Sequence, residues 1–290
     1  MKSSVAPRTL SLYESAGREF AAFRESRGLE TTWPVPIDHL MEYCVFLHNK
    51  GLVTGTIKGK LAGLSFSAKL HGWSDTTADG RIRRMLEGWS RLAHREPDSR
   101  RPITPELLRG LRGQWNSICS SQYEQCLFHA TALTAFNGAF RMAEVLAKAK
   151  ADTTRTALWR SDLACSEQGA VIFPRKSKTD QKGQGARVEL HPSTLSEICP
   201  VKALLDYLAL RGERSGYLFC HTDGGPLTIY QFWTIAKKAL LALGLDGFRF
   251  GTHSFRIGAA STAAASGFKE QDIKAIGRWR SKAYKTYVRK

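Results

Sequence analysis

The sequence predicts a mixed, mainly α-helical fold, in which a small helical bundle precedes a larger α+β unit. Apolar residues recur at helical spacing along most of the chain, and short segments typical of strands cluster between residues 158 and 190. The polar segment 96–102 contains two prolines and interrupts the helical pattern, which is typical of a linker. The 290 residues are therefore expected to form a helical domain over 1–95 and a second domain over 103–290.

The first domain is expected to contain four helices. Apolar residues three or four positions apart give each of them one face for the core. The predicted ranges are 11–27, 36–51, 54–69 and 79–93. The third and fourth helices also carry basic faces, with Lys58 and Lys69 on the third. Such faces are either solvated or in contact with phosphates, and the pattern alone leaves both open.

The second domain is expected to combine helices with a few short strands. Thr104 and Pro105 are typical of a capped helix start, and Gly138 is expected to separate two helices within the apolar segment 126–147. The polar segment 175–187 predicts a β-hairpin with a basic tip. Strands are predicted at 158–162, 170–173, 188–190 and 217–220, and further helices at 201–210, 229–243, 254–266, 269–276 and 282–289.

Charge and composition narrow the classes of partner. The chain has 43 Lys and Arg against 26 Asp and Glu, a formal charge of +17, which favours nucleic acid first and a membrane surface second. The sequence contains no run of 18 apolar residues, so no transmembrane helix is expected. The N-terminus lacks the apolar core of a secretory signal. Six cysteines without a Cys-x-x-Cys pair predict buried thiols in a reducing compartment rather than a disulfide scaffold or a metal site.

Familiar catalytic motifs are missing from the sequence. It contains no P-loop, no serine-hydrolase elbow and no zinc-protease motif. The second half instead carries scattered basic residues, a histidine and a tyrosine near its end. Cleavage of a phosphodiester without a metal needs such groups: fixed cations for the phosphate oxygens, a hydroxyl nucleophile, and an acid for the departing oxygen.

Four segments resemble the sequence boxes of the tyrosine recombinase (phage integrase) family, in the family's order. They are Phe140-Arg141-Met142-Ala143-Glu144-Val145-Leu146 for the first arginine, Pro174-Arg175-Lys176-Ser177-Lys178-Thr179-Asp180 for the lysine hairpin, Gly251-Thr252-His253-Ser254-Phe255-Arg256 for His-x-x-Arg, and Ile276-Gly277-Arg278-Trp279 with Tyr287-Val288-Arg289 for the last box. The likeness covers about residues 101–290, and the first hundred residues are similar to the family's core-binding (SAM-like) domain. The ending looks most like recombinases of eukaryotic mobile elements, such as DIRS-type retrotransposons and Cryptons.

The resemblance implies a role for each matching residue. Tyr287 would attack the scissile phosphate and form a 3′-phosphotyrosine, while Arg141 and Arg256 hold the phosphate oxygens. His253 would act as an acid, a base or a hydrogen-bond donor, and Trp279 stands where most members have His and some have Trp. The remaining implied roles are protonation of the leaving oxygen by Lys178 and bracing of the basic groups by Glu144, and no cofactor is implied. The basic faces and the basic hairpin make further residues candidates for DNA contact, with those on the third helix as candidates for reading bases: Lys58, Lys69, Arg175, Lys176 and Lys182.

Alternatives remain at two positions and for the activity as a whole. Tyr284 is a second candidate nucleophile, although the interval from Trp279 favours Tyr287, and Lys176 or Lys182 could replace Lys178 as the acid. A type IB topoisomerase-like enzyme and a domesticated DNA-binding protein without catalysis are the rival readings.

The resemblance also implies partners and a location. The expected partner is double-stranded DNA, on which a homo-tetramer would assemble from monomers or dimers, with no membrane partner, no ATP and no essential metal. A mobile element of eukaryotic origin would imply a nuclear protein, and any other origin the cytoplasm or nucleoid.

Overall fold

The structure, a computed structural model, describes residues 2–93, 98–152, 154–175 and 185–289. The chain divides into two compact units, Met1–Pro97 and Asp98–Lys290. It is mainly helical with one small antiparallel sheet, which confirms the predicted fold class. Among the described residues, no helix combines the length and apolar character needed to cross a membrane.

The first unit is a bundle of four helices around an aromatic core. They are α1 (Pro7–Ser26), α2 (Ile37–Asn49), α3 (Thr54–His71) and α4 (Gly80–Leu92). The α1 helix begins earlier than predicted because Pro7 suits the first helical turn. Phe20 and Tyr43 are fully buried in the core with ring centroids 4.9 Å apart. Gly63 allows α1 and α3 to approach, since a Cβ there would lie 3.0 Å from Tyr13 Cα.

Most helices of the second unit pack around one large core, and the last contributes Ile273 to a smaller apolar cluster. The described residues of this unit form seven helices. They are α5 (Pro105–Ile118), α6 (Gln122–Asn137), α7 (Met142–Val145), α8 (Pro200–Arg211), α9 (Ile229–Ala242), α10 (Ser254–Ala265) and α11 (Glu270–Gly277). The side chain of Thr104 accepts from the Leu107 N–H and caps α5, as predicted. The α6 helix is buried over most of its length, and it ends at the turn that begins the candidate site.

Three strands form the sheet in the order β1 (Leu163–Ser166), β2 (Gly169–Ile172) and β3 (Val188–Leu190). Both pairs are antiparallel, and Ile172 pairs with Leu163 on one side and Val188 on the other. The predicted pairing of the two hairpin strands is therefore confirmed. The lysines predicted at the hairpin tip, Lys176, Lys178 and Lys182, lie outside the described residues.

Two predicted strands are wrong. Within 158–162, the carboxylate of Asp162 accepts a 2.9 Å hydrogen bond from the Trp159 N–H, which closes a short 3-10 turn, and β1 begins only at Leu163. Segment 217–220 makes isolated bridges rather than a ladder, because Tyr217 pairs with Trp159 and Cys220 with Pro226. Apolar and aromatic residues predicted extended backbone there, but a strand also needs a neighbour over several residues.

Two further features of the second unit position the site. The segment that opens the unit lies along the start of α10: the Ile103 N–H donates to the Ser254 carbonyl at 3.0 Å. A Cβ at Gly258 would lie 1.7 Å from the Ile103 carbonyl oxygen, so this contact requires glycine. The predicted last helix is a 3-10 helix over Lys282–Thr286, and Tyr287 follows it directly.

Candidate active site

The turn after α6 brings Arg141 and Glu144 together. Arg141 is the residue before α7, and its backbone N–H donates to Glu144 Oε2 at 3.1 Å. Its guanidinium Nη1 donates to Glu144 Oε1 at 2.9 Å. Glu144 is buried, whereas the Arg141 side chain remains partly exposed. The carboxylate therefore fixes the position of an arginine that still faces solvent.

Arg278 is a second arginine on the same carboxylate, and the sequence analysis gave it no role. Its Nη2 lies 3.2 Å from Glu144 Oε2, and its Nη1 donates to the Gly138 carbonyl at 2.8 Å. Arg278 ends α11 in the left-handed conformation, with φ of 55°. Burial lowers the pKa of Arg278, and the charge of Glu144 opposes that shift. Arg278 lies between Gly277 and Trp279 in the last of the family-like segments, and this position was the one indication in the sequence of a role in the site. A basic residue at a helix end is, however, usually a solvated cation.

His253 and Arg256 lie at the start of α10. His253 is half-buried just before the helix, and Arg256 is only 1% exposed within its first turn. Arg256 Nη1 donates to the Ala139 carbonyl at 2.5 Å, and Nη2 donates to the Gly277 carbonyl. Arg256 thus joins the turn after α6 to the end of α11. Burial lowers the pKa of Arg256 to about 10, and the neighbouring Arg141 adds to that shift.

Trp279 and Tyr287 place two rings against these groups. Their ring centroids lie 5.2 Å apart, and the Tyr287 centroid lies 6.0 Å from that of His253. The Arg256 guanidinium carbon lies 4.3 Å from the centroid of Trp279 and 5.5 Å from that of Tyr287. Gly277 makes room for the tryptophan, because a Cβ there would lie 1.7 Å from Trp279 Cζ3.

Tyr284 occupies a different place. Its side chain is buried at 8% exposure in a small apolar cluster with Ile273, and the Lys274 ammonium lies 5.5 Å from its ring centroid. Tyr287 is more exposed and makes the ring contacts with His253 and Trp279. Of the two tyrosines considered from the sequence, Tyr287 is the one brought beside the histidine and Arg256.

Three buried nitrogens in this cluster have no hydrogen-bond partner among the residues that the structure describes. They are His253 Nδ1, Arg256 Nε and Trp279 Nε1. Buried polar atoms usually have partners, so three such atoms in one cluster represent unused hydrogen-bonding capacity. Oxygens of a bound anion are groups that would satisfy them.

The charges around Tyr287 are mostly positive. Three guanidiniums, those of Arg141, Arg256 and Arg278, lie near the carboxylate of Glu144. Burial lowers the pKa of His253, and the charges of nearby arginines, Arg100 first, lower it further. The imidazole is therefore neutral at pH 7. The arrangement suits the oxygens of a phosphate and leaves a neutral imidazole beside the ring of Tyr287.

The structure describes three of the other predicted DNA-contact residues. Lys58 and Lys69 are exposed on α3 in the first unit, and Lys69 lies 3.3 Å from Asp75. Arg175 follows β2, and its Nε donates to the buried Asp162 carboxylate at 2.6 Å. Residues 176–184, which include the three candidate lysines, are outside the described part of the chain. Within residues 2–93, 98–152, 154–175 and 185–289, no cluster of His, Cys, Asp or Glu suits a metal ion.

Comparisons with solved structures agree with this fold. XerH site-specific recombinase bound to a palindromic difH substrate matches with a TM-score of 0.65 and 14% identity, over 98% of this chain and 76% of that chain. A lambda integrase dimer bound to a COC′ core site matches with a TM-score of 0.64 and 14% identity, over 98% of this chain and 89% of that chain. The Tn1549 transposon integrase in complex with transposon right end DNA matches with a TM-score of 0.60 and 14% identity, over 97% of this chain and 95% of that chain. At such identities the likeness concerns the fold.

Sequence comparison points to one family. An integrase/recombinase xerD homolog of Selenomonas ruminantium is 25% identical over 300 residues, which cover 99% of this chain and 81% of the relative. The model of the phage integrase family matches residues 159–289, a range that includes His253, Arg256, Trp279 and Tyr287. By this match, residues 159–289 are similar to the phage integrase family, the family of tyrosine site-specific recombinases.

Proposed function

We propose that this protein cleaves and rejoins DNA strands at specific sites through a covalent 3′-phosphotyrosine at Tyr287. The observation that carries the proposal is the position of Tyr287 beside His253, Arg256 and Trp279, each of which has a buried nitrogen without a partner among the described residues. A phosphodiester seated there would receive hydrogen bonds from these nitrogens and charge stabilisation from Arg141.

Side chains of this protein can supply the nucleophile, the base and the acid that the reaction needs. The Tyr287 oxygen attacks the scissile phosphorus, and the neutral His253 accepts the phenolic proton. The bond from phosphorus to the 5′-oxygen breaks, and that oxygen takes a proton from a lysine of the hairpin, for which Lys178 is our choice. The phosphotyrosine retains the energy of the phosphodiester, so attack by a free 5′-hydroxyl reverses the step and rejoins a strand.

Glu144 has a supporting role in this scheme. Its carboxylate holds Arg141 and Arg278 at the same time, and mutual repulsion would otherwise separate the two cations. Holding cations in place before the substrate binds lowers the cost of reorganisation when charge develops on the phosphate.

The proposed biological role is the movement of a mobile element. The similar solved proteins include a transposon integrase with transposon end DNA and a lambda integrase dimer on a core site. For this chain we expect duplex DNA target sites, a tetramer on two such sites and exchange through a Holliday junction. The proposed origin in a eukaryotic mobile element, with a nuclear location, rests on the likeness of Gly277-Arg278-Trp279 and Ala283-Tyr284-Lys285-Thr286-Tyr287 to such recombinases.

Covalent capture on DNA tests the chemistry. The wild type, Tyr287→Phe and Tyr284→Phe are each incubated with nicked duplexes that carry randomised sequence and candidate element ends, with EDTA and without ATP. Denaturation and sequencing then recover protein-linked DNA. We expect adducts from the wild type and Tyr284→Phe, and none from Tyr287→Phe. Loss only in Tyr284→Phe would move the nucleophile, and a folded, DNA-binding wild type without any adduct would overturn the proposal.

A second readout separates recombination from relaxation. The captured site is placed on two duplexes of different length, and a supercoiled plasmid with one site serves as the relaxation substrate. Strand exchange gives recombinant lengths that require both duplexes. Relaxation without recombinant products would instead indicate a topoisomerase-like enzyme.

A further inference from the structure

Asp98, the first residue of the second unit, joins two arginines from opposite ends of that unit. Its Oδ1 accepts from Arg100 Nε at 2.8 Å, and its Oδ2 accepts from Arg100 Nη2 at 2.8 Å. The same Oδ2 accepts from Arg289 Nη2 at 2.8 Å, across 191 positions of sequence. The hydrogen bonds from Arg100 lower the pKa of Asp98 to about 2, so the carboxylate is charged at neutral pH.

Arg289 is bound to the segment that carries Tyr287. Its backbone N–H donates to Ser261 Oγ at 2.9 Å, and that hydroxyl donates to the Tyr287 carbonyl at 3.3 Å. Its guanidinium Nη1 donates to the Thr286 carbonyl at 2.5 Å. The side chain of Arg289 therefore folds back over the tyrosine segment before it reaches Asp98.

The segment on the other side of Asp98 is fixed against α10. The Arg101 N–H donates to the Arg249 carbonyl at 2.7 Å, and the Ile103 N–H donates to the Ser254 carbonyl at 3.0 Å. Since His253 and Arg256 lie at this end of α10, Asp98 connects a fixed part of the site with the short 3-10 segment that holds the tyrosine.

We propose that Asp98 is a positioning residue for cleavage, which holds the Tyr287 segment against α10 through its ion pair with Arg289. The inference rests on the proposed function of Tyr287. An acidic side chain beside cations that face DNA opposes phosphate binding, so its contribution must lie in geometry rather than in affinity. Correct placement of a nucleophile within a fraction of an ångström has a large effect on rate.

The chain offers a closely matched control for this residue. Asp79 in the first unit makes the same local pair two residues along, with Arg81 Nε at 3.1 Å from Oδ1 and Nη2 at 3.1 Å from Oδ2. Each aspartate also accepts from the backbone N–H of its arginine. Asp79→Asn and Asp98→Asn therefore remove the same charge from the same motif, but only Asp98 has the distant partner Arg289.

Single-turnover cleavage of the captured DNA site is the first measurement. At saturating DNA we expect Asp98→Asn to cleave about 10- to 100-fold more slowly than the wild type, while its half-saturating DNA concentration stays within about threefold. Removal of a negative charge alone would strengthen DNA binding. Slower cleavage by Asp98→Asn is therefore not explained by the change in charge. Asp79→Asn is expected to match the wild-type rate, and equal rates in all three proteins would overturn the inference.

Arg289→Gln and the double variant test whether the two residues act together. Since both substitutions break the same ion pair, the double variant is expected to cleave no more slowly than the slower single variant. Additive losses would show that Asp98 acts by another route, and would overturn the positioning role.

Amide hydrogen exchange provides a readout that does not depend on cleavage. The Tyr287 and Arg289 amides are both hydrogen-bonded, to the Tyr284 carbonyl and to Ser261 Oγ. In Asp98→Asn we expect both to exchange at least about threefold faster, with no change in Asp79→Asn. Unchanged exchange rates in Asp98→Asn would overturn the positioning role of Asp98 but not the proposed function. A wild type that never forms an adduct overturns the proposed function, and the positioning role falls with it whatever the exchange shows.

Discussion

Glu144 organises the candidate site at the scale of single residues. It holds Arg141 at 2.9 Å and Arg278 at 3.2 Å while being almost fully buried. A buried carboxylate is costly unless its oxygens are satisfied, and here two guanidiniums and a backbone N–H satisfy them. The arrangement stores no energy for the reaction, but it keeps two cations close together before any phosphate arrives.

Replacement of Glu144 by Gln is expected to destabilise the second unit by about 2 kcal/mol or more, because two partly buried cations lose their counter-charge. The control is Glu213→Gln, which removes a carboxylate 3.2 Å from Arg160 on a side chain that is 85% exposed. We expect the control to change the free energy of unfolding by less than about 1 kcal/mol. Urea denaturation at pH 7 measures both, and equal effects would show that burial of Glu144 is unimportant.

His129 makes the stability of the second unit depend on pH. It is buried in α6, and its Nε2 lies 3.1 Å from Arg112 Nη1, so the ring accepts a hydrogen bond from a cation. Burial first, and the Arg112 charge second, lower the pKa of His129 from 6.5 to about 4. Between these values the unfolded chain binds more protons than the folded one. Stability is therefore lost as the pH falls through this window, by roughly 3 kcal/mol from this residue.

The test compares the wild type with His129→Gln, whose amide oxygen can still accept from Arg112. Urea denaturation at several pH values between 4 and 7.5 gives the free energy of unfolding of each protein. We expect the wild type to lose more stability than the variant across this range. Parallel curves would show that His129 titrates alike in the folded and unfolded states.

At the scale of elements, periodicity predicted the helices better than composition predicted the strands. Helices such as α9 depend mainly on their own residues, so the pattern of apolar positions was sufficient. Segments 158–162 and 217–220 have strand-like composition but make only isolated bridges, because neither lies beside a partner segment over several residues. In the candidate site, the residues that the sequence indicated were those in family-like segments. The role of Arg278 depends on a left-handed turn and on Gly138, 140 positions away.

Gly258 controls how closely the opening segment lies on α10. A Cβ at this position would lie 1.7 Å from the Ile103 carbonyl oxygen, which is backbone and cannot rotate away. We expect Gly258→Ala to destabilise the second unit by about 2 kcal/mol or more and to reduce cleavage, since the segment must move away from the site. Thermal and urea denaturation measure the first effect, and covalent capture measures the second.

Gly113→Ala is the control in the same unit. Gly113 lies within α5, where no heavy atom comes within 4 Å of an added Cβ. Alanine there is expected to stabilise the protein by up to about 1 kcal/mol, because it favours the helix more than glycine does. If Gly258→Ala behaved like this control, the close contact with Ile103 would have no energetic importance.

At the scale of the whole molecule, the net charge of +17 does not show which of the 43 lysines and arginines are free to contact DNA, because some of them pair with acidic side chains. Lys60 pairs with Glu19, and Lys69 lies 3.3 Å from Asp75. Lys58 is exposed on the same helix and has no ion pair within the described ranges of the chain. Net charge indicates that the protein attracts DNA, but the contacts with phosphate depend on which side chains remain available.

This difference predicts unequal salt dependence for two neighbouring lysines. Each phosphate neutralised by the protein adds about 0.9 to the slope of log association constant against log salt, because counterions are released. We expect Lys58→Gln to reduce the slope by about 0.9, and Lys60→Gln, whose ammonium already pairs with Glu19, to reduce it by much less. Fluorescence anisotropy with one duplex between 50 and 300 mM salt, roughly the range over which such slopes are measured, gives both values. Since the two substitutions remove the same formal charge, equal slopes would mean that overall charge, rather than individual phosphate contacts on α3, determines the affinity of this protein for DNA.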